Sequence, residues 1–283
     1  MPRIDLSAGP LDYQDTGGDG PVLVFTHGVP MNETQWRKVV PLLSGYRRVL
    51  PTLPLGAHRH PMKPDADLSQ RGVARLLGEF IERLDLHDVT LVLNDWGGGQ
   101  FLLSEAGADR IGRLVLVACE AFDNFPPGPA RALGVLARIP GGIWLLMQAL
   151  RIKAVRHGRR AYGGMSVRGI PDDVLTGWFA PAWRSRAVRR DFAKFAGSAP
   201  GRETLLAWSD RLRAFDRPVL VVWATEDRLM PREHGPRLAT LYPRARLVEI
   251  SDSATLVPED QPERLAEVLT AFLTEAGAPP ARR

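Results

Sequence analysis

The sequence predicts an α/β fold in which a mostly parallel sheet is flanked by helices and carries an inserted helical cap. Three observations lead to this prediction. Short, almost entirely apolar segments alternate with amphipathic ones, as in parallel sheets that helices cover on both faces. One apolar segment, beginning at Val89, runs into a glycine-bordered turn at 95–98 and then into a helical pattern. The alternation stops between Phe122 and Phe215, where no strand pattern is present.

The strands of the core are identified as short apolar runs bounded by turn residues. Besides the run that starts at Val89, they are Pro21–Phe25, Arg48–Leu53, Arg113–Cys119, Val219–Trp223 and Arg246–Ile250. Helices are predicted where apolar residues recur every three or four positions. These segments are Asn32–Leu43, Leu68–Leu84, Gly98–Ala106 and Pro262–Leu273.

The segment 122–215 is predicted to form a helical cap over the turn at 95–98. It opens on a proline-rich stretch at 126–129 and continues with helical segments rich in Leu, Trp and Arg. The core domain then consists of residues 1–121 and 216–283. Apolar and aromatic cap side chains would line a largely dry pocket, and the tryptophan candidates are Trp144, Trp178 and Trp183.

The charge pattern limits the classes of partner. Of the 283 residues, 37 are basic and 32 acidic, which gives a net charge of +5. Much of the basic excess lies between Arg151 and Arg190, without the interleaved aromatic residues of a nucleic-acid platform. We interpret this excess as a solvated face and expect no nucleic-acid partner.

The remaining composition is that of a globular enzyme. Hydrophobic residues make up 45% of the chain and the single cysteine is Cys119, which suits a reducing cytosol. No apolar run approaches the ~18 residues that a membrane span needs, and the first residues have no signal-peptide core. A cytoplasmic protein without a membrane partner is therefore expected, and the oligomeric state stays open between a monomer and a homodimer.

Asp95 stands at the tip of a strand–turn–helix unit. The run Asn94-Asp95-Trp96-Gly97-Gly98 has the layout of a nucleophile elbow, with an aspartate where serine hydrolases place serine. An aspartate at such a turn can also simply cap the helix. The flanking Trp-Gly-Gly and the upstream His27-Gly28 favour the nucleophile.

Several separated motifs resemble the α/β-hydrolase superfamily, above all the branch that includes haloalkane dehalogenases and epoxide hydrolases. They are His27-Gly28-Val29-Pro30, Trp36, Asn94-Asp95-Trp96-Gly97-Gly98, Trp223-Ala224-Thr225-Glu226-Asp227 and Pro258-Glu259-Asp260-Gln261-Pro262. The resemblance covers nearly all of the chain outside the cap. It implies an α/β-hydrolase fold and a small, mostly apolar substrate (a halide, an epoxide or an ester), with no cofactor and no metal.

The resemblance also implies roles for individual residues. Asp95 matches the nucleophilic aspartate, and the backbone N–H groups of Val29 and Trp96 match the donors of the oxyanion hole. The indole N–H of Trp96 would in addition hold a leaving halide. Asp227 matches the acid that orients a histidine, and Glu120 matches the alternative location for that acid.

This chain departs from the family pattern at three positions. Val29 stands where many dehalogenases carry a halide-binding asparagine, so a second halide donor would have to come from the cap. The cap has one tyrosine, Tyr162, where epoxide hydrolases usually offer two. Thr255 stands where the general base, a histidine, is expected, and a threonine does not accept a proton from water near neutral pH.

Three explanations for Thr255 remain open at this stage. Another histidine supplies the base, with His58 and His60 the favoured pair because their loop borders the site in this fold. Alternatively, Asp95 is itself a general base in a non-hydrolytic reaction, or the pocket binds an apolar ligand without turnover. The other histidines considered as a base or substrate contact are His27, His157 and His234.

Overall fold

An eight-stranded sheet forms the centre of the molecule in the computed structural model, which describes residues 1–105 and 107–277. The strands are β1 (Arg3–Leu6), β2 (Gly9–Asp15), β3 (Val22–Phe25), β4 (Arg47–Pro51), β5 (Val89–Asp95), β6 (Ile111–Cys119), β7 (Val219–Ala224) and β8 (Ala245–Ile250). Their order is β1-β2-β4-β3-β5-β6-β7-β8. The strands from β4 to β8 in that order pair in parallel, and β2 joins them in antiparallel orientation. The predicted fold class is confirmed.

Helices flank the sheet and fill the segment between β6 and β7. The helices are α1 (Gln70–Arg83), α2 (Arg131–Arg138), α3 (Gly142–Ala149), α4 (Lys153–Arg156), α5 (Asp172–Arg184), α6 (Arg186–Ala196), α7 (Arg202–Arg211), α8 (His234–Leu241), α9 (Val257–Asp260) and α10 (Pro262–Glu275). Within 122–215, all of whose backbone is described, the structure has helices and no strand. The division into core and cap domains at these boundaries stays a prediction.

Two predicted helices take a different form. The segment Asn32–Leu43 contains two short 3-10 helices, Glu33–Trp36 and Val40–Leu42, because Pro41 lacks the N–H that a continuous α-helix needs. The segment predicted to begin at Gly98 is a 3-10 helix, Gly99–Ser104, since a run of glycines favours the α-helix poorly. Its predicted end at Ala106 lies outside the described residues.

The two central strands bring the site to the carboxyl edge of the sheet. Every residue of β5 and β6 is buried, as expected for parallel strands that are covered on both faces. Ligands of open α/β sheets bind at the carboxyl ends of the strands. Asp95 is the last residue of β5, and Glu120 directly follows β6.

A buried polar contact joins the helix α6 to the loop that follows β4. Asp191 on α6 is fully buried, and its Oδ2 atom lies 3.2 Å from Nε2 of His58. The same oxygen accepts a hydrogen bond of 2.8 Å from the backbone N–H of Met62. Because a buried carboxylate without partners is costly, this contact holds α6 against the core.

Candidate active site

Asp95 lies at a sharp turn between strand and helix. Its φ of +62° is in the left-handed region, and Gly98 in the same turn has a φ of +71°. A residue other than glycine adopts this conformation at a cost of about 1–3 kcal/mol, and such strain is concentrated at functional sites. The side chain is 3% exposed. The turn thus holds a buried carboxylate in a strained conformation at the edge of the sheet.

Backbone groups surround the Asp95 carboxylate closely. The N–H groups of Val29 and Trp96 hydrogen-bond to it. A Cβ atom at Gly28 would lie 1.9 Å from Asp95 Oδ2, so only glycine leaves room for the carboxylate there. The two N–H groups expected from the sequence to form an oxyanion hole therefore converge on Asp95.

Two buried carboxyl groups, Asp95 and Glu120, share this edge of the sheet with the partly buried Asp227. Burial raises the pKa of Asp95 to about 7, and the negative charge of Asp227 raises it further. The backbone hydrogen bonds from Trp96 and Val29 act in the opposite direction. Burial likewise raises the pKa of Glu120 to about 8 and that of Asp227 to about 6. Groups that titrate near neutrality in a buried cluster are typical of functional sites.

Thr255 lies directly beside Asp227. Its Oγ1 donates a hydrogen bond of 2.8 Å to Asp227 Oδ1, which also accepts from the backbone N–H groups of Leu229 and Met230 at 2.8 and 3.1 Å. Asp227 Oδ2 is buried and has no hydrogen-bond partner among the described residues. The carbonyl of Thr255 accepts a bond of 2.7 Å from Asn94, the neighbour of Asp95. Thr255 therefore connects the acid to the turn.

Glu120 supports the backbone of the turn. Its two carboxyl oxygens accept hydrogen bonds from the N–H groups of Gly97 and Gly98, at 3.3 and 2.6 Å. Its own N–H donates to the carbonyl of Asp95 at 3.3 Å. Glu120 thus holds the start of the 3-10 helix in place, and no histidine hydrogen-bonds to it among the described residues.

The histidines considered as replacement bases are engaged elsewhere. Nε2 of His27 accepts from the N–H of Leu53 at 2.9 Å, and Nδ1 lies 3.0 Å from the carbonyl of Gly28. Burial lowers the pKa of His27 to about 4. His58 contacts Asp191 and the N–H of Gly56, so both of its ring nitrogens are also used.

The favoured pair, His58 and His60, is therefore not brought to Asp95. His60 lies by the N-terminal hairpin, 3.3 Å from Asp12. His157 pairs with Asp172, and His234 packs edge-on against Phe122. Among the residues that the structure describes, none of the histidines hydrogen-bonds to Asp95, Asp227 or Thr255.

A cavity of about 330 Å³ opens above Asp95 and Trp96. This volume is at the lower end of the range of about 300–1,000 Å³ for small-molecule sites. Most of the lining is aliphatic and comes from the segment 127–165. Leu146 and Met147, expected from the sequence among the apolar cap residues of the pocket, line it. Sequence reasoning missed the other apolar lining residues and three exposed arginines: Leu133, Leu136, Leu150, Met165, Phe192, Arg159, Arg160 and Arg228.

Of the four aromatic cap candidates, Tyr162 lines this cavity. Its hydroxyl donates a hydrogen bond of 3.0 Å to the carbonyl of Val29. The three tryptophans do not line it: Trp144 is 51% exposed on the outer surface, Trp178 donates its indole N–H to Thr34 Oγ1, and Trp183 donates to the carbonyl of Met147. The expected second halide donor does not come from these tryptophans.

Trp96 lines the cavity and carries a hydrogen-bond donor that is unused among the described residues. Its indole N–H is buried and has no hydrogen-bond partner in the part of the chain that the structure describes. The ring packs edge-on against Phe125, with centroids 5.2 Å apart. Since a buried donor without a partner is costly, this N–H is available to an acceptor atom of a bound molecule.

Known proteins with similar sequences include enzymes of several activities. The chain is 25% identical to haloalkane dehalogenase 2 of Mycobacterium tuberculosis, covering 94% of this chain and 92% of the relative. It is 29% identical to haloalkane dehalogenase 1 of that organism, covering 87% and 82%. It is 28% identical to the cis-3-alkyl-4-alkyloxetan-2-one decarboxylase of Xanthomonas campestris pv. campestris, covering 96% and 95%.

Solved structures share the fold. Haloalkane dehalogenase DbeA from Bradyrhizobium elkani superposes with a TM-score of 0.78 at 19% identity, over 98% of this chain and 97% of that one. The epoxide hydrolase CorEH superposes with a TM-score of 0.77 at 16% identity, over 97% and 99%. The model of the alpha/beta hydrolase family matches residues 23–268. The chain belongs to the α/β-hydrolase family.

Proposed function

We propose that the protein is an enzyme in which Asp95 attacks a small, mostly apolar organic electrophile and forms an ester with it. The observation that carries this proposal is the position of Asp95. It lies in a left-handed turn at the buried end of an aliphatic cavity, with the N–H groups of Val29 and Trp96 on its carboxylate. The similarity to dehalogenases and epoxide hydrolases supports alkyl halides, epoxides and strained esters as substrates.

The chemistry of the first step follows from these groups. A carboxylate oxygen of Asp95 forms a bond to an sp³ carbon while the carbon–halogen or carbon–oxygen bond breaks. The leaving atom takes the bonding electrons and becomes an acceptor. The indole N–H of Trp96 is the donor that would stabilise it.

The second step cannot follow the usual route, because Thr255 stands where a base would activate water. A positioned general base contributes about 10²–10⁴-fold to such a step. The ester on Asp95 is therefore long-lived, or it is resolved without water.

A non-hydrolytic reaction is the second candidate, and the pairing of Thr255 with Asp227 favours it. With a 3,4-dialkyloxetan-2-one, the substrate class of the Xanthomonas relative, Asp95 would attack C4 and open the ring to a carboxylate. The bond between that carboxylate and C3 then breaks, its electrons form the C3=C4 double bond, and the Asp95 carboxylate leaves. The products are an alkene and CO₂, and no water is consumed.

Intact-mass measurement after incubation with alkyl halides, epoxides and dialkyloxetanones tests the proposal. We expect a covalent adduct that maps to Asp95 and is missing in Asp95→Asn. Its rate of formation should rise with pH and level off above about pH 7, because only the carboxylate attacks and burial raises the pKa of Asp95 to about 7.

The products distinguish the two candidates. Alkene and CO₂ released from an oxetanone would favour the non-hydrolytic reaction. An adduct that accumulates from a halide or an epoxide would instead favour alkylation of Asp95 followed by slow hydrolysis of the ester. An adduct that persists in Asp95→Asn, or tight binding of every probe with neither adduct nor product, would contradict the proposal and indicate a binding protein.

A further inference from the structure

The segment between Asp123 and Asp172 has an unusual charge pattern. It contains no aspartate or glutamate, although acidic residues number 32 in the whole chain. Its basic residues are Arg131, Arg138, Arg151, Lys153, Arg156, Arg159, Arg160 and Arg168. Arg156 and Arg168 pair with acids outside the segment. The other basic residues make no salt bridge with a described acidic residue, so the surface of this segment is strongly positive.

The same segment exposes most of the large hydrophobic side chains that reach the solvent. Nine such side chains are exposed among the described residues, and seven of them lie here. Val135 is 61% exposed, Leu145 60% and Trp144 51%. The others are Ile139, Ile152, Val155 and Val167. Exposed apolar side chains gathered in one region mark an interaction surface, whereas isolated ones need no explanation.

The helices α2 and α3 are apolar on both sides. On α2, Leu133 and Leu136 line the cavity while Val135 faces solvent. On α3, Ile143 and Met147 are buried while Trp144 and Leu145 are exposed. Ile139 and Trp144 line one shallow groove, and Arg138 borders it. We call the outward residues of this region the basic cap surface: Arg131, Val135, Arg138, Ile139, Trp144, Leu145, Arg151, Ile152 and Lys153.

We propose that the basic cap surface docks on an anionic lipid bilayer, lying in the interface without crossing it. Aliphatic and tryptophan side chains beside lysines and arginines are the composition of interfacial segments. Each basic residue near an anionic leaflet adds to the electrostatic attraction. A second copy of this chain is a poorer occupant, because two basic faces repel each other.

This proposal revises the interpretation of the basic residues as a solvated face. No helix among the described residues is long and apolar enough to cross a membrane, and docking requires none. Arg159 and Arg160, exposed at the cavity, belong to the same segment. If Asp95 acts on apolar molecules as proposed above, docking would place the cavity beside the lipid bilayer, in which such molecules dissolve.

Co-sedimentation of the full chain with vesicles tests the docking independently of any reaction. We expect binding to mixed phosphatidylglycerol–phosphatidylcholine vesicles, weaker binding to phosphatidylcholine alone, and a decrease with added salt. Charge reversal in R138E/R151E should lower the partition coefficient by roughly 30-fold or more. W144S/L145S should lower it by about tenfold through the loss of apolar contact.

Matched controls use exposed residues outside the basic cap surface. R211E/R244E reverses two exposed arginines that form no salt bridge with a described acid, and Leu42→Ser removes an exposed leucine. Both should bind vesicles nearly as well as the wild type. Equal binding to neutral and anionic vesicles, equal losses in the control variants, or a dimer that W144S/L145S dissociates without any vesicle binding would overturn the proposal.

Discussion

Replacing Thr255 with histidine is expected to accelerate release of an alkyl group from Asp95 by about 10²–10⁴-fold, the contribution of a positioned general base. Asp227 Oδ1 already accepts a hydrogen bond from the side chain at 255, and Asp227 Oδ2 has no described partner. An imidazole at this position would therefore find its orienting acid in place. The measurement is a single-turnover chase: the protein is first alkylated with a bromoalkane, and loss of the adduct is then followed by intact mass.

Two variants serve as controls for this gain. Thr255→Ser keeps the hydroxyl and should release the adduct as slowly as the wild type. T255H/D227N keeps the imidazole but removes the acid, and should lose much of the gain. If folded Thr255→His forms the adduct and releases it no faster than Thr255→Ser, the missing histidine is not the only difference between this site and that of a dehalogenase.

Asp95→Asn is expected to abolish adduct formation and to stabilise the protein at neutral and alkaline pH. The pKa of Asp95 is raised to about 7 in the folded state, against about 3.9 for an unfolded chain. Its contribution to stability is thus complete below pH 4 and is lost as the pH rises through 7. Asparagine does not ionise and tolerates a left-handed φ, so the variant should be more stable than the wild type by roughly 2–4 kcal/mol at pH 8.

Urea unfolding at pH 5 and pH 8 measures this effect. Because the difference between variant and wild type accumulates between the unfolded and the folded pKa, it should be roughly a third of its full size at pH 5 and complete at pH 8. Asp65→Asn, at an exposed residue, is the matched control and should show little change. A stability difference that stays constant across this range would contradict an Asp95 that is buried and titrates near neutrality.

The fold could be predicted from the sequence where burial determines the pattern. Strands such as β5 and β6 are buried on both faces, so nearly every residue is apolar and the run is visible. The N-terminal hairpin of β1 and β2 was missed because its strands alternate buried and exposed positions irregularly. The prediction of a continuous helix over Asn32–Leu43 is wrong because apolar spacing alone does not show that Pro41 lacks a backbone N–H to donate.

The centre of the site was predictable for a different reason. Asp95, Trp96 and Val29 lie in short motifs where the backbone itself forms the site, and Thr255 is placed by the resemblance of the motif around Pro258 to the family. The cavity wall was not predictable, since apolar residues on a cap helix do not reveal which side faces the cavity. The tryptophans show this: Trp178 and Trp183 pack within the protein and Trp144 faces outward.

The contact between His58 and Asp191 has a consequence for how molecules reach Asp95. Lifting α6 from the core would leave a buried carboxylate and the N–H of Met62 without their partners, at a cost of a few kcal/mol. The part of the cavity wall that α6 contributes through Phe192 is therefore held firmly against the core. Exchange of substrates and products would then depend on the other wall of the cavity, the segment 127–165, where Arg159 and Arg160 are exposed beside the aliphatic lining.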